Sequence, residues 1–167
     1  MTENQISFAN RIFNAALNSG VNENVSHFIT EQSAHETNGF QSSLFKRANN
    51  AFGMTVPSVR KSPFIIGKDS IQPDGNMNYA KYANIEDSTK DLIHWFTFNH
   101  ISLNNISNRE QYANILKSKG YYGDSLTNYL NGLKTYSLRL AGLLKKSSAI
   151  LPILFLFAIV LLVIFKK

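Results

Sequence analysis

The sequence contains no cysteine in its 167 residues. It therefore has neither a disulfide framework nor a thiolate nucleophile, and a Cys-His peptidase mechanism is excluded. Its four histidines are scattered, without HExxH or any other ligand spacing (His27, His35, His94 and His100). We therefore predict no metal site and no cofactor.

Acidic residues are missing from the end of the chain. The net charge is +6, and residues 145–167 contribute +4 of it through two lysine pairs without a single acid. Residues 1–144 are nearly balanced, with 13 basic against 11 acidic side chains. The excess charge thus belongs mostly to the tail, and we predict no nucleic-acid partner.

The tail reads KKSSAILPILFLFAIVLLVIFKK, in which Ala149–Phe165 are seventeen uncharged, mostly large apolar residues. A helix of this length spans about 26 Å, close to the ~30 Å hydrocarbon core, and the flanking lysines can reach the headgroups. We predict one C-terminal transmembrane helix within residues 145–167, inserted in a lipid bilayer, behind a globular domain of residues 1–144. The alternative is a buried core helix, but helices that are apolar all round occur in larger proteins.

Helical periodicity dominates the globular part, and the first twenty residues lack a charged leader followed by an apolar block. Between the second and third predicted helices, residues 43–82 predict loops and a small hairpin around PDGN. The fold class is α+β and mostly helical. The five predicted helices are the N-terminus to Gly20, Glu23–Thr37, Asn84–His100, Ser107–Lys119 with a capping box of Ser107 and Glu110, and Ser125–Leu144.

The stretch TEQSAHETNGF places Glu36 in the last turn of the second helix. There a carboxylate faces the negative end of the helix dipole, and apolar surroundings would raise its pKa further. A raised pKa is what a general acid needs at neutral pH. Glu31 lies about 140° away around the helix and is interpreted as a solvated side chain.

The segment ITEQSAHETNGFQSSLFKRANNAFGM, residues 29–54, resembles the core motif of the glucosaminidases of glycoside hydrolase family 73. Two later blocks, YAKYANIEDSTKDLIHWF and LKSKGYYGDSLTNYLNGLKTY, are similar to that family's tyrosine segments. The resemblance covers about residues 5–140. It departs where Asn38-Gly39-Phe40 replaces the usual Gly-Trp-Gly. HET followed by Gly and an aromatic also resembles family 19 chitinases and related phage endolysins.

This resemblance implies a lysozyme-like domain with a groove between two lobes and a small β-hairpin lobe. It implies cleavage of the β-1,4 bond after N-acetylglucosamine in peptidoglycan glycan strands, with Glu36 as general acid. Asn50, Tyr82 and Tyr122 fall on the family's blocks and are predicted to bind substrate. Tyr121 and Tyr129 are further candidates to line a sugar groove, although for Tyr129 a core position is at least as well indicated.

A second carboxylate is less clearly indicated. Asp69 and Asp74 lie in the hairpin lobe, and Asp74 in QPDGN is the candidate, although a turn aspartate is the simpler interpretation. If no second carboxylate takes part, the substrate's N-acetyl group or a tyrosine-oriented water would support or attack the sugar cation. A lytic-transglycosylase reaction is then also open. Phe52 is expected beneath Glu36, and Trp95 in the core.

The alternative to an enzyme is a non-catalytic membrane protein of a virion, with a glycan-binding or structural role. More positive charge precedes the apolar segment than follows it, which predicts a cytoplasmic domain. Peptidoglycan lies on the other side of that membrane. We therefore predict an enzyme in the internal membrane of a phage virion, held in the host cytoplasmic membrane before assembly, with virion proteins as further partners.

The sequence also predicts how the domain joins the tail. Only KKSS separates the last predicted helix from the apolar segment, so no flexible linker is indicated. Either the helix continues through Lys145–Ser148 as one rod, or Ser147 or Ser148 caps a new helix after a bend. Pro152 in the first turn of a new helix favours the bend.

Overall fold

The computed structural model describes residues 1–69 and 77–147. The predicted transmembrane segment, Ala149–Phe165, and the candidate Asp74 lie outside the described residues. Within the described ranges, no helix is both long and apolar enough to cross a bilayer.

Six α-helices and one β-hairpin make up the described chain, which confirms a mostly helical α+β class. A short helix within residues 43–48 was not predicted. The elements are α1 (Glu3–Asn18), α2 (Glu23–Glu36), α3 (Ser43–Ala48), β1 (Ile65–Asp69), β2 (Tyr79–Tyr82), α4 (Ile85–Phe98), α5 (Arg109–Ser118) and α6 (Leu126–Leu140), with a 3₁₀ turn at Leu103–Asn105.

Asparagines begin three of these helices. The side chains of Asn22, Asn84 and Asn108 each accept a hydrogen bond from the backbone N–H three residues on. The predicted capping box of Ser107 and Glu110 is therefore wrong, since Asn108 caps α5.

Helix α2 lies at the centre of the domain, packed by α1, α5 and α6. Its middle is therefore buried on all sides, including the polar Thr30, Gln32 and Ser33. Glu31 was predicted to be solvated, and that prediction is wrong. It is 4% exposed and forms a two-pronged ion pair with Arg109 of α5, at 2.5 and 2.7 Å.

The hairpin joins β1 and β2 in antiparallel register, with Asp69 opposite Tyr79 and Ile65 opposite Tyr82. A bulge interrupts the ladder between Ile65 and Gly67. The predicted hairpin is thus confirmed, although its PDGN turn lies outside the described residues. The hairpin packs on α3 and α4 and forms a small lobe beside the helices.

Helix α6 ends at Leu140, four residues earlier than predicted, and the chain turns at Ala141–Leu143. Residues 141–147, here called the strap, then run back along α1. A single rod from α6 through Lys145 is therefore wrong. The chain already bends at Ala141, before the point considered from the sequence. The predicted new helix after Ser147 or Ser148 lies outside the described residues and stays a prediction.

Candidate active site

A groove of about 870 Å³ separates the helical body from the hairpin lobe. The last residue of α2, the loop after α3, the end of α4 and residues 119–121 supply its walls. Glu36 lies in this groove and is the only carboxylate among the described residues that line it. Phe52 lies beside it and is 1% exposed, which agrees with the floor position expected for it.

The Glu36 carboxyl group accepts a hydrogen bond at one oxygen and lies against the loop backbone at the other. The Tyr129 hydroxyl of α6 donates a 2.8 Å hydrogen bond to its Oε1. At Gly53 a Cβ would lie only 4.0 Å from Oε2, so the loop backbone approaches closely. Burial raises the pKa of Glu36 above its ordinary value, and the Tyr129 bond opposes this in part. The group therefore keeps its proton to higher pH than a solvated glutamate.

Three consecutive residues after Glu36 adopt positive φ angles, namely Asn38 (50°), Gly39 (68°) and Phe40 (66°). The turn is stabilised from inside, because Thr37 Oγ1 donates to the Ser33 carbonyl and accepts from the Phe40 N–H. It leaves Phe40 buried at 2% exposure. The departure from Gly-Trp-Gly thus still yields a tight turn that ends α2 at Glu36.

Tyrosines surround the glutamate in a layered arrangement. The Tyr122 ring stacks on the outer face of Tyr129, at 3.7 Å between centroids and 5° between planes. The Tyr121 hydroxyl donates to the Phe52 carbonyl at 2.5 Å, which ties α5's end to the groove floor. Burial, with the charge of Glu36, raises the pKa of Tyr129 well above its ordinary range, so this phenol remains a donor.

Sequence reasoning left Tyr129 open and named Tyr121 as a groove tyrosine without selecting it as a substrate contact; Tyr121 does line the groove. Both lie in the late tyrosine block, GYYGDSLTNY, whose spacing was the available signal. Tyr122, predicted to bind substrate, is half-buried and donates to the Ala113 carbonyl at 3.1 Å. It contacts Tyr129 rather than Glu36.

Two predicted substrate contacts, Asn50 and Tyr82, are buried at 1% exposure each, and neither lines the groove. Asn50 bonds only to backbone: its Nδ2 donates to the carbonyls of Met54 and Ala80, and its Oδ1 accepts from the N–H of Phe52 and Met54. It shapes the loop that carries Gly53 toward Glu36. A side chain with these partners has no free group for a sugar.

Tyr82 belongs to a buried polar cluster beneath the groove. Its hydroxyl donates to Asp91 Oδ2 at 2.7 Å, and the guanidinium of Arg60 forms a two-pronged pair with the same carboxylate. Arg60 Nη1 also lies 3.0 Å from His94 Nδ1. Arg60 lies in the groove-lining loop before β1, and Asp91 lies in α4. The ion pair therefore holds the hairpin lobe against the helical body.

Asp69, the other acid of the lobe, is 8% exposed and pairs with Arg47 at 3.0 Å. It lies outside the groove's lining. The described residues therefore place no second carboxylate beside Glu36.

The wall opposite the turn of α2 is apolar and exposed. Trp95 was expected in the core, but it lies half-buried in the groove lining, with its ring against Tyr121 at 5.4 Å between centroids. Phe98, at the end of α4, is 48% exposed and lines the same groove. An aromatic face in a groove is suited to stacking on the apolar face of a pyranose. Helical periodicity could not separate these rings from the core residues Leu92 and Phe96.

Solved structures with this fold include the C-terminally truncated glycoside hydrolase domain of FlgJ from Salmonella typhimurium. It is 22% identical, with a TM-score of 0.55, covering 82% of this chain and 97% of that one. A peptidoglycan hydrolase from Sphingomonas sp. A1 is 16% identical, with a TM-score of 0.60 and coverages of 87% and 99%. The catalytic domain of the autolysin Auto from Listeria monocytogenes is 19% identical, with a TM-score of 0.55 and coverages of 86% and 87%. At these identities the likeness is one of fold, and it agrees with the expected lysozyme-like domain.

No curated protein sequence matches significantly. The sequence profile of a glucosaminidase family, described as mannosyl-glycoprotein endo-beta-N-acetylglucosaminidase, matches residues 10–146. This span includes the motif that contains Glu36, both tyrosine blocks and most of the strap, and it confirms the family expected from the motifs. The chain therefore belongs to the glucosaminidase family.

Proposed function

We propose that this chain is a peptidoglycan hydrolase that cleaves the β-1,4 bond after N-acetylglucosamine, with Glu36 as general acid. The observation that carries the proposal is a groove carboxylate, Glu36, with a raised pKa and a hydrogen bond from Tyr129. Family membership and the peptidoglycan hydrolases among its structural neighbours support the substrate class.

The chemistry follows from the position of the carboxyl. Cleavage of a glycosidic bond passes through an oxocarbenium-like state, so the departing oxygen must receive a proton as the bond breaks. Neutral Glu36 supplies it, and Tyr129 holds the carboxyl in one orientation through Oε1. Trp95 and Phe98 offer apolar faces for the sugars on either side of the bond.

Two groups are candidates to stabilise the sugar cation that forms as the bond breaks. Asp74 of the hairpin lobe is the candidate carboxylate, which would attack directly or activate a water. The substrate's own N-acetyl group is the other, since Glu36 is the one carboxylate that the described residues bring to the groove. An Asp74→Asn variant distinguishes them, because a large loss of kcat supports the carboxylate and an unchanged kcat supports the acetamido group.

Digestion of purified peptidoglycan by the full-length protein in detergent tests the assignment of Glu36. We expect Glu36→Gln to abolish the release of glycan fragments, whereas Glu110→Gln, at an exposed position on α5, should release them at the wild-type rate. Equal release by the wild type and Glu36→Gln would contradict the acid assignment. Binding without release by either protein would favour the glycan-binding alternative.

Product analysis tests the bond and the outcome. Borohydride reduction of the fragments should convert their ends to N-acetylglucosaminitol, as expected for hydrolysis after N-acetylglucosamine. Muramitol ends would contradict this bond specificity. Anhydro ends, which resist reduction, would identify lytic-transglycosylase chemistry.

We further propose that residues 145–167 anchor the enzyme in a lipid bilayer, in the internal membrane of a phage virion. The lysine-flanked apolar run supports the anchor, and the conflict between a cytoplasmic domain and an extracytoplasmic substrate supports the virion. Purified particles should contain the protein and release it only with detergent. Its absence from particles, or release by salt alone, would contradict this location.

A further inference from the structure

The strap, residues 141–147, is held on α1 by two asparagines one helical turn apart. Asn10 Nδ2 donates to the Leu143 carbonyl at 3.2 Å, and Asn10 Oδ1 accepts from the Lys145 N–H at 2.6 Å. Asn14 repeats the pattern, donating to the Lys145 carbonyl at 2.9 Å and accepting from the Ser147 N–H at 2.7 Å. Four bonds thus hold alternate residues of the strap, Leu143, Lys145 and Ser147, against α1.

The strap ends at the opposite end of α2 from Glu36. Lys146 Nζ lies 2.7 Å from the carboxylate of Glu23, the first residue of α2, and Ser147 shares a shallow cavity with Asn18 at the end of α1. Glu36 is the last residue of the same 14-residue helix, which places the two ends about 20 Å apart. The apolar segment begins two residues after Ser147, at Ala149.

The end of the domain beside this exit is polar and almost uncharged. It consists of residues 18–24 and 100–108, here called the asparagine face, in which Glu23 and His100 are the only ionisable side chains. Hydrogen bonds join its two loops: Asn104 donates to the Gly20 carbonyl at 3.0 Å and accepts from the Asn22 N–H at 2.8 Å. Asn24 donates to the Ser107 carbonyl at 3.2 Å.

We infer that the asparagine face is the surface that lies against the lipid headgroups, with the groove directed away from the bilayer. The inference rests on the anchor proposed above. Lys145 and Lys146 favour anionic headgroups at the exit point, and an uncharged polar face meets those headgroups without the repulsion that carboxylates would cause. The asparagine-held strap then fixes the orientation, because the domain cannot rotate about a free linker.

Site-specific fluorescence quenching tests this orientation. Since the chain has no cysteine, one label can be placed on the full-length protein at Asn105→Cys, on the asparagine face, or at Ser58→Cys, on the groove rim. Both positions are exposed. The proteins are reconstituted in vesicles of phosphatidylcholine and phosphatidylglycerol that carry a headgroup spin label. We expect several-fold stronger quenching at residue 105 than at residue 58.

Equal quenching at the two positions, or stronger quenching at residue 58, would overturn the inference. If the protein does not float with the vesicles, the anchor and this inference both fail. Glycan release by the unlabelled wild-type protein in the same vesicles reports separately on the proposed activity, so the two failures are distinguishable.

The strap's role is tested by Asn10→Ala combined with Asn14→Ala in each labelled protein. Loss of all four bonds should reduce the difference between the labels, while the control Asn114→Ala, exposed on α5, should preserve it. Thermal unfolding verifies that each variant is folded. A folded double variant that keeps the full difference would overturn the strap as the orienting element.

Discussion

At Glu36, burial disfavours the charged form of the carboxyl group. Its pKa is raised, mainly because burial penalises the charged form, so ionisation at neutral pH costs folding free energy. We expect Glu36→Gln to unfold at a higher temperature than the wild type at neutral pH. The difference should vanish below the ordinary glutamate value of 4.5, where the carboxyl is neutral in both the folded and the unfolded chain.

Thermal unfolding as a function of pH provides this measurement, with Glu110→Gln as the matched exposed substitution. That control should show no comparable gain. A Glu36→Gln protein that is less stable than the wild type at neutral pH would contradict the expected cost of the buried charge.

Tyr129 both orients Glu36 and limits its pKa. Its hydrogen bond favours the ionised carboxylate and so lowers the pKa that burial raises. In Tyr129→Phe we therefore expect the alkaline limb of the pH–activity profile to move to higher pH. The maximal rate should fall on the order of tenfold, the equivalent of about 1.4 kcal/mol for one lost hydrogen bond.

The same profile measured for Tyr136→Phe serves as the control, because this tyrosine lies on the same helix and its hydroxyl does not bond Glu36. An alkaline limb that stays in place in Tyr129→Phe would show that the bond does not control the titration.

Phe98 tests whether the apolar wall binds sugar. Stacking on a ring contributes to the bound substrate and to the transition state alike, so its loss raises KM and leaves kcat nearly unchanged. We expect Phe98→Ala to raise KM for soluble glycan fragments several-fold. Leu138→Ala, which truncates an even more exposed apolar side chain on α6 outside the groove lining, should leave both constants unchanged. A fall in kcat without a change in KM would exclude a simple binding role.

The contact between α2 and α6 positions the two residues that form the Glu36–Tyr129 pair. The helices meet where the His35 ring packs over Gly132, and a Cβ at residue 132 would lie only 2.3 Å from His35 Cε1. Ordinarily, Gly→Ala inside a helix stabilises by about 1 kcal/mol. Here we expect Gly132→Ala to destabilise instead, because the ring is half-buried beside Tyr129 and must move.

Chemical denaturation of Gly132→Ala, alone and combined with His35→Ala, measures this contact. The double variant should lose less stability than the two single variants together, because removal of the His35 ring also removes the clash. Asn131→Ala, on the exposed side of α6, provides a neutral reference. A stabilised Gly132→Ala protein would mean that the helices separate without cost.

The connection between domain and tail limits where the groove can reach. The strap's last bond to α1 is made at Ser147, so a membrane-held domain reaches no farther than its own width of roughly 40 Å. A flexible Gly/Ser linker inserted after Ser147 keeps the strap intact and extends this reach. We expect it to leave activity on soluble glycan unchanged and to alter activity on intact sacculi from vesicle-bound protein.

Both activities are compared with those of the native chain in the same vesicles. The same linker inserted in detergent-solubilised protein is the control, because no bilayer then restricts the groove. Unchanged activity on sacculi from vesicle-bound protein would show that close tethering has no functional consequence.

The sequence determined the elements whose signals are local. Periodicity, caps and turn residues predicted five of the six helices and the hairpin, and the motif order predicted the family. Glu36 could be singled out because its neighbours along the chain carry the motif. The apolar tail and its lysine pairs were equally visible, and their membrane role stays a prediction.

Only the tertiary structure decided which polar side chains face one another. Glu31 looks solvated by its charge alone, yet α5 brings Arg109 against it, 78 positions away. Tyr129 and Glu36 are 93 positions apart, and Tyr82 is drawn under the lobe by Asp91 and Arg60. A helical period tells which residues share a face, but it does not tell whether that face meets a core, a groove or a distant partner. That choice depends on how the helices pack, because burial and ion pairing are set by residues far apart in the chain.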